Sequence, residues 1–427
     1  MRRPFKSMIW WSMQCASALF SAAMIAGKLT LHWRDVSTSE ILIVFHQGGF
    51  GHTIHGLDLV RRMFPGRRIT VLYLFQRTRH NPLVEKIWPD VRLIFLPIEF
   101  AWGRPGHFRR IPWFIGLKSP WLCSVLKKLF PQKTVLAPEE IYGLARRHSE
   151  TTQSRGLTAD YIYGYFKLLE KISAPAPALP AALTQKVEQA LARCAPRRQK
   201  LCCLYLRSKG EASDGESSSI RRIGSPIRSY WRAIQALNAR GYLVLLVGDR
   251  SLDDETRAKF GKGVVDAEGL GISHDLLYLY AALESDVAVL ECGGGSWLPI
   301  YRNMPHLVVN VLPFEFASPG GTIYYKSILR PNGAPEETRL LLGKMAEEYD
   351  FPGHLVRDND ADELREAVTD FLDHLGEPRP WGIAADTLAD LPPTSWHRFL
   401  KSGISPVWLR RYSTGVSKDI KSRRSIA

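Results

Sequence analysis

Residues 46–58, HQGGFGHTIHGLD, gather three histidines, His46, His52 and His55, around Gly48, Gly49 and Gly51, with Asp58 close behind. Histidine ordinarily titrates near neutrality, which suits the transfer of a proton to or from a hydroxyl. The glycines allow a tight turn and let a ligand approach the backbone. His55 and Asp58 stand three residues apart, a spacing that puts both on one face of a helix, where a carboxylate can orient an imidazole. Hydrogen-bonded structural histidines at a plain glycine turn account for the same residues. The glycine order is not G-x-G-x-x-G, and no clear acidic ribose partner follows about twenty positions on, which argues against dinucleotide binding.

A second group of residues lies downstream. Arg207 ends the apolar run KLCCLYLR. Doubly wound sheets present ligand groups at such strand ends, and a guanidinium there can clamp a phosphate with two hydrogen bonds; a surface ion pair is the other reading. Asp249 closes YLVLLVGD and suits either a sugar or ribose hydroxyl or the cap of the next helix. Gly293, Gly294, Gly295 and Ser296 offer small residues, a hydroxyl and a helix start, where backbone N–H groups can hold an anion; a tight strand-to-helix turn also fits them. Ser273 and Asp275 read as N-cap candidates, and DDE at residues 253–255 and DND at 358–360 read as exposed first turns or turns. No metal site is expected.

These residues need a scaffold. Residues 41–45 form a continuous apolar run that suits a strand buried on both faces, and apolar positions from Thr53 to Met63 follow a helical spacing. The runs RRITVLYLF and VRLIFLPI predict two further strands, and EFAWGRPGHFRRIPWF reads as a long basic, aromatic loop. The proline–alanine run at residues 173–183 predicts a linker. The pattern then restarts. KLCCLYLR, YLVLLVGD, VAVLE and HLVVNVLPF alternate with helical stretches, among them IRSYWRAIQALNARG with Gly241 at its C-cap and DADELREAVTDFLDHLG. Alternating strands and helices in two series predict two α/β domains with parallel sheets.

The chain has 427 residues, 45% of them hydrophobic and 23% charged, with a formal net charge of +15. The length favours two domains. The basic excess admits nucleic acid, anionic membrane or phosphorylated substrates as partners, but no nucleic-acid-binding signature is present. Six cysteines show no C-x-x-C spacing, which favours a reducing compartment and no zinc. Between Lys6 and Lys28 no residue is charged. That stretch, preceded by Arg2, Arg3 and Lys6, suits an in-plane helix, an uncleaved anchor or a secretory signal, the first agreeing best with a cytoplasmic body.

The segments RSYWRAIQALNARGYLVLLVGD and VAVLECGGGSWLPIYRNMPHLVVN resemble the C-terminal, nucleotide-sugar half of GT-B glycosyltransferases. The chain is similar to a bacterial family of polysaccharide glycosyltransferases over residues 41–375, including the late helix after VRDNDADELREAV. The resemblance implies two doubly wound Rossmann-like domains facing a central cleft. It implies an acceptor domain with linker at 35–185 and a nucleotide-sugar domain at 186–376; outside it, the uncharged stretch marks a membrane-associating segment at residues 1–34 and the basic run marks a basic tail at 377–427. The loop with Gly48, Gly49 and Gly51 would face the donor, with His52, His55 and Asp58 as catalytic candidates. Arg207 is similar to the strand-end arginine that contacts the donor diphosphate in fucosyltransferase-like enzymes. Here the residues are LYLRSKGE rather than H-x-R-x-G-D, with Tyr205 in place of the histidine. Lys209, Asp249 and Gly293 to Ser296 complete the expected donor site. The implied activity is hexosyl or deoxyhexosyl transfer to a glycan or lipid-linked acceptor in surface polysaccharide synthesis, without metal or cofactor, at the inner face of the cell membrane and without nucleic acid. A non-catalytic nucleotide- or sugar-binding protein is the alternative.

Overall fold

The structure is a computed structural model that describes residues 23, 25–45, 50–75, 81, 83–97, 99–102, 109–112, 119–147, 168–169, 171–173, 176–194, 199–207, 226–248, 252–311, 320–335, 353–377 and 403–412. His46, Gly48, Gly49, Lys209 and Asp249 lie outside the described residues, as does nearly all of the segment before Lys28. The chain divides into two units, Met1–Pro175 and Ala176–Ala427.

In the first unit, helix α1 (Trp33–Thr38) leads into strand β1 (Ile41–Phe45), helix α2 (Phe50–Met63) and strands β2 (Ile69–Phe75) and β3 (Val91–Pro97). A short pair, β4 (Glu99–Trp102) and β5 (Arg109–Pro112), precedes helix α3 (Ser119–Leu129), strand β6 (Thr134–Leu136) and helix α4 (Pro138–Arg146). Among the described residues the main sheet runs β3-β2-β1-β6, all parallel. Ile41, Leu42, Ile43 and Val44 are all buried, as a central parallel strand requires. Leu42, Val44, Leu72 and Ile94 share one core with Leu122 and Leu126 of α3 and Val36 of α1.

Two expectations change here. Helix α2 starts at Phe50, so Gly51 and His52 lie in its first turn rather than in the loop. From Ile54 to Arg62 nearly every side chain is buried, and a helix enclosed on all sides carries little periodicity to mark its start. The segment expected as a long loop instead pairs with itself, Phe100 opposite Ile111 in the antiparallel β4–β5 register.

The second unit opens with helix α5 (Ala181–Cys194). The division between the units falls in the proline–alanine run, but the run ends as helix. The Pro180 carbonyl accepts from the N–H groups of Leu183 and Thr184, and alanine is the best helix former. Strand β7 (Lys200–Leu206), helix α6 (Trp231–Ala239), strand β8 (Tyr242–Gly248), helix α7 (Asp254–Phe260) and strand β9 (Val264–Val265) follow. Arg240 caps α6, with Gly241 directly after it at φ 80°. Next come α8 (Ala267–Leu270), α9 (His274–Glu284), β10 (Val287–Glu291), α10 (Trp297–Tyr301), β11 (His306–Val311) and β12 (Thr322–Tyr325). The antiparallel pair β13 (Ser327–Leu329) and β14 (Leu355–Arg357) precedes helix α11 (Ala361–Asp373), strand β15 (Gly403–Ile404) and helix α12 (Pro406–Tyr412).

Among the described residues this sheet runs β15-β12-β11-β10-β7-β8-β9, again parallel. Side-chain caps start several of its helices. Asp253 accepts from Thr256, Ser273 from Leu276, and Asp360 forms a capping box with Glu363. Asn359, inside the DND turn expected to be exposed, is buried. Part of the expected basic tail also returns to the fold: β15 pairs with β12, and Trp408 and Leu409 are buried. Apolar area in VWL outweighs the neighbouring arginines.

Candidate functional site

Each unit reverses its strand order beside its first strand. In the second unit the chain runs outward from β7 through β8 to β9, then returns to β10 on the other side of β7. Such a reversal leaves a crevice beyond the carboxyl ends of the two strands, where doubly wound domains bind ligands. Arg207 follows β7 there, and Gly293 to Ser296 follow β10.

The corner is tightly built. The Arg207 N–H donates to Glu291 Oε2 at 2.7 Å, and its guanidinium donates to the Cys292 carbonyl at 3.2 Å. A Cβ on Gly293 would stand 2.6 Å from Arg207 Cδ, so only glycine lets the arginine stem lie against this turn. A Cβ on Gly295 would stand 2.3 Å from the Tyr205 ring. Tyr205 therefore walls the glycine turn. Tyr278 meets the Tyr205 ring edge-on at 6.3 Å and donates its hydroxyl to the Gly295 carbonyl at 2.8 Å. Burial, followed by the neighbouring Tyr205, pushes the Tyr278 phenol up.

Ser296 is buried, and its hydroxyl donates to the Gly293 carbonyl at 2.6 Å. The turn is one of 3-10 helix, Gly294–Ser296, and α10 beyond it has only five residues. The helix start expected here is too short to add a sizeable dipole, so any anion would be met by local N–H groups and by Arg207.

Beneath the corner lies a polar chain that the sequence reading did not single out. Glu291 is 1% exposed, and Tyr230 donates to its Oε1 at 2.7 Å. Asn310 donates to the Tyr230 hydroxyl at 3.1 Å, and Asn310 and Asn359 exchange backbone-to-side-chain hydrogen bonds at 2.8 and 2.7 Å. Asn310 takes a left-handed φ of 53°, which asparagine tolerates. Burial, then the Glu291 charge, pushes the Tyr230 phenol well above its ordinary value. The available signal was the lone acid closing the apolar strand VAVLE: a carboxylate kept at a buried strand end must have partners.

In the first unit β1 occupies the equivalent place, between β2 and β6. Gly51 and His52 start α2 just past its carboxyl end. His55 and Asp58 lie further along and are 3% and 1% exposed. Asp58 Oδ2 accepts from Arg62 Nε at 2.6 Å, and Arg62 also donates to the Ile172 carbonyl at 2.5 Å. The structure thus brings Arg207, Gly293, Gly295 and Ser296 together at one corner and places Gly51, His52, His55 and Asp58 on one helix.

No protein-family model and no curated protein matches the chain. Among solved structures it is similar to the glycosyl transferase family 9 protein from Veillonella parvula DSM 2008, with 10% identity, a TM-score of 0.40 and coverage of 67% of this chain and 86% of that one. It is similar to the E. coli ADP-heptose lps heptosyltransferase II, with 12% identity, a TM-score of 0.39 and coverage of 66% and 89%. It is also similar to the wall teichoic acid polymerase TagF, with 11% identity, a TM-score of 0.26 and coverage of 73% and 86%. The doubly wound α/β architecture of each unit stands on its own strand order.

Proposed function

We propose that this chain is a glycosyltransferase of the GT-B type, moving a sugar from a nucleotide-sugar donor to a glycan or lipid-linked acceptor in surface polysaccharide synthesis. One observation carries the reading: Arg207 packed on the glycine turn at the strand-order reversal of the second unit. A donor diphosphate is anionic and gains charge as its sugar departs. A guanidinium held against this turn favours that departing charge over the ground state. Lys209 and Asp249 flank the same strand ends in sequence and complete the proposed donor set, while Ser296 holds the turn in shape.

The acceptor is assigned to the first unit. His52 takes the proton of the acceptor hydroxyl. The oxygen then bonds to the anomeric carbon as the bond from that carbon to the phosphate oxygen breaks, and the nucleoside diphosphate leaves with the electron pair. Gly48, Gly49 and Gly51 admit the acceptor, and buried His55 and Asp58 support the first turn of α2. The transferred group is a hexosyl or deoxyhexosyl unit, and the work is done at the inner face of the cell membrane.

The test is a melting series of the full chain with nucleotide-linked hexoses, deoxyhexoses and heptoses, followed by a hydrolysis assay on whichever raises the melting midpoint. A transferase releases nucleoside diphosphate slowly without acceptor. Binding with no release over long incubation would identify a non-catalytic nucleotide-sugar binder, and no stabilisation by any donor would remove the reading.

A further inference from the structure

Leu31, Trp33 and Leu129 stand 78%, 56% and 63% exposed, although large apolar side chains are usually covered. They belong to one neighbourhood. The Trp33 ring lies 5.5 Å from that of Phe130, the residue after Leu129. Lys133 Nζ donates to the Ser37 carbonyl at 2.8 Å and to that of Ser39, joining the end of α1 to the turn after α3. Helix α1 and the end of α3 therefore form one surface.

Cations surround it. Arg34 and Lys128 are exposed, and Lys28 and Lys127 stand close by in sequence on the same two segments. The acids nearby are largely engaged. Asp35 faces His32 at 3.3 Å and Arg92 at 3.5 Å, and Glu140 faces Lys127 at 2.7 Å, leaving Glu139 exposed. Directly upstream, residues 7–27 contain no charged side chain and follow Arg2, Arg3 and Lys6.

We propose that this face of the first unit docks on an anionic lipid surface. Leucine and tryptophan enter the boundary between headgroups and acyl chains, and lysine and arginine meet the lipid phosphates. A protein partner fits less well, because interface cores are depleted in lysine. The uncharged stretch lies just upstream in sequence and has the same apolar character. The inference does not depend on the proposed activity.

Co-sedimentation of the full chain with vesicles tests it. One set contains phosphatidylcholine with phosphatidylglycerol, the other phosphatidylcholine alone. The wild type is expected to prefer the anionic set. Leu31→Asp with Leu129→Asp is expected to weaken that binding by roughly tenfold, and Arg34→Glu with Lys128→Glu to remove the preference for anionic lipid. All four positions are exposed or nearly so, so the variants should keep the wild-type melting midpoint. If the aspartate pair melts early, Leu31→Ser with Leu129→Ser is read in the same way. Unchanged binding of both pairs would mean that residues 1–27 act alone and would overturn the proposal. Equal binding of the wild type to both vesicle sets would overturn it too. So would a wild-type dimer in vesicle-free sedimentation that the aspartate pair converts to monomer, since the face would then be a contact between copies.

Discussion

The backbone N–H of Arg207 donates to the Glu291 carboxylate at 2.7 Å, tying the carboxyl ends of β7 and β10 across the strand-order reversal. The same carboxylate takes the Tyr230 hydroxyl, so one buried acid fixes both the strand end that bears the arginine and the helix entry behind it. Replacing Arg207 leaves this joint intact, because the backbone makes it. Arg207→Ala is therefore expected to fold normally and to weaken donor binding by about 2–4 kcal/mol, the range for a lost charged contact at a partly buried site. Calorimetric titration of the donor checks this; unchanged affinity would remove Arg207 from the site.

Glu291 should behave in the opposite way. Glu291→Ala strips the acceptor from one buried and one partly buried donor and should cost roughly 2–4 kcal/mol of folding stability. Glu291→Gln keeps the shape and one carbonyl oxygen and should lose less. Urea unfolding of the two variants gives the comparison, and equal losses would mean that the intact carboxylate, rather than the shape or a single oxygen, matters there.

The glycine turn makes a steric prediction. Gly295→Ala would push a methyl group into the Tyr205 ring and should destabilise the unit by about 1–3 kcal/mol. Tyr205→Leu should relieve much of that loss, so the two substitutions should be non-additive. A double-mutant cycle in which the losses simply add would show that something other than Tyr205 confines the turn.

Acid sensitivity should arise in part from Asp266. Burial works to raise its carboxyl, but the N–H groups of Leu252 and Gly269 and the Arg257 guanidinium outweigh burial and hold it below its ordinary 3.8. A carboxyl lowered in the folded state stabilises the fold above its unfolded value, and that contribution disappears as pH falls through the folded value. Asp266→Asn should cost about 1–3 kcal/mol near neutrality, with the gap to wild type closing below pH 4 or so. Unfolding midpoints across pH test this, and a gap that stays constant down to acid would show that the charge is not involved.

Catalysis should depend on the start of α2. His52→Ala is expected to lower transfer by roughly 10²–10⁴-fold with little change in donor affinity, the effect of losing a general base. His55→Ala, at a buried position, should lower both stability and transfer. Turnover and donor binding measured side by side separate the cases. Near-normal turnover in the His52 variant would place the base elsewhere, and a collapse of donor binding would assign the phosphate to this loop.

Local chemistry by itself determined much of this protein. Continuous apolar runs at residues 41–45, 242–247 and 287–290 suit buried strands, and Asp253, Ser273 and Asp360 start helices because their side chains reach N–H groups two or three residues on. Such signals act within a few residues and leave a mark in any short window. Only the tertiary structure decided that β7 lies beside β10, with paired residues such as Cys202 and Val287 85 positions apart, and so brought Arg207 against Gly293. It alone joined Glu291, Tyr230, Asn310 and Asn359 into one buried chain, and it returned residues 403–412 to the edge of the sheet. Pairings over such separations depend on which apolar faces pack and which buried polar groups find partners, and neither is set until the whole sheet has formed.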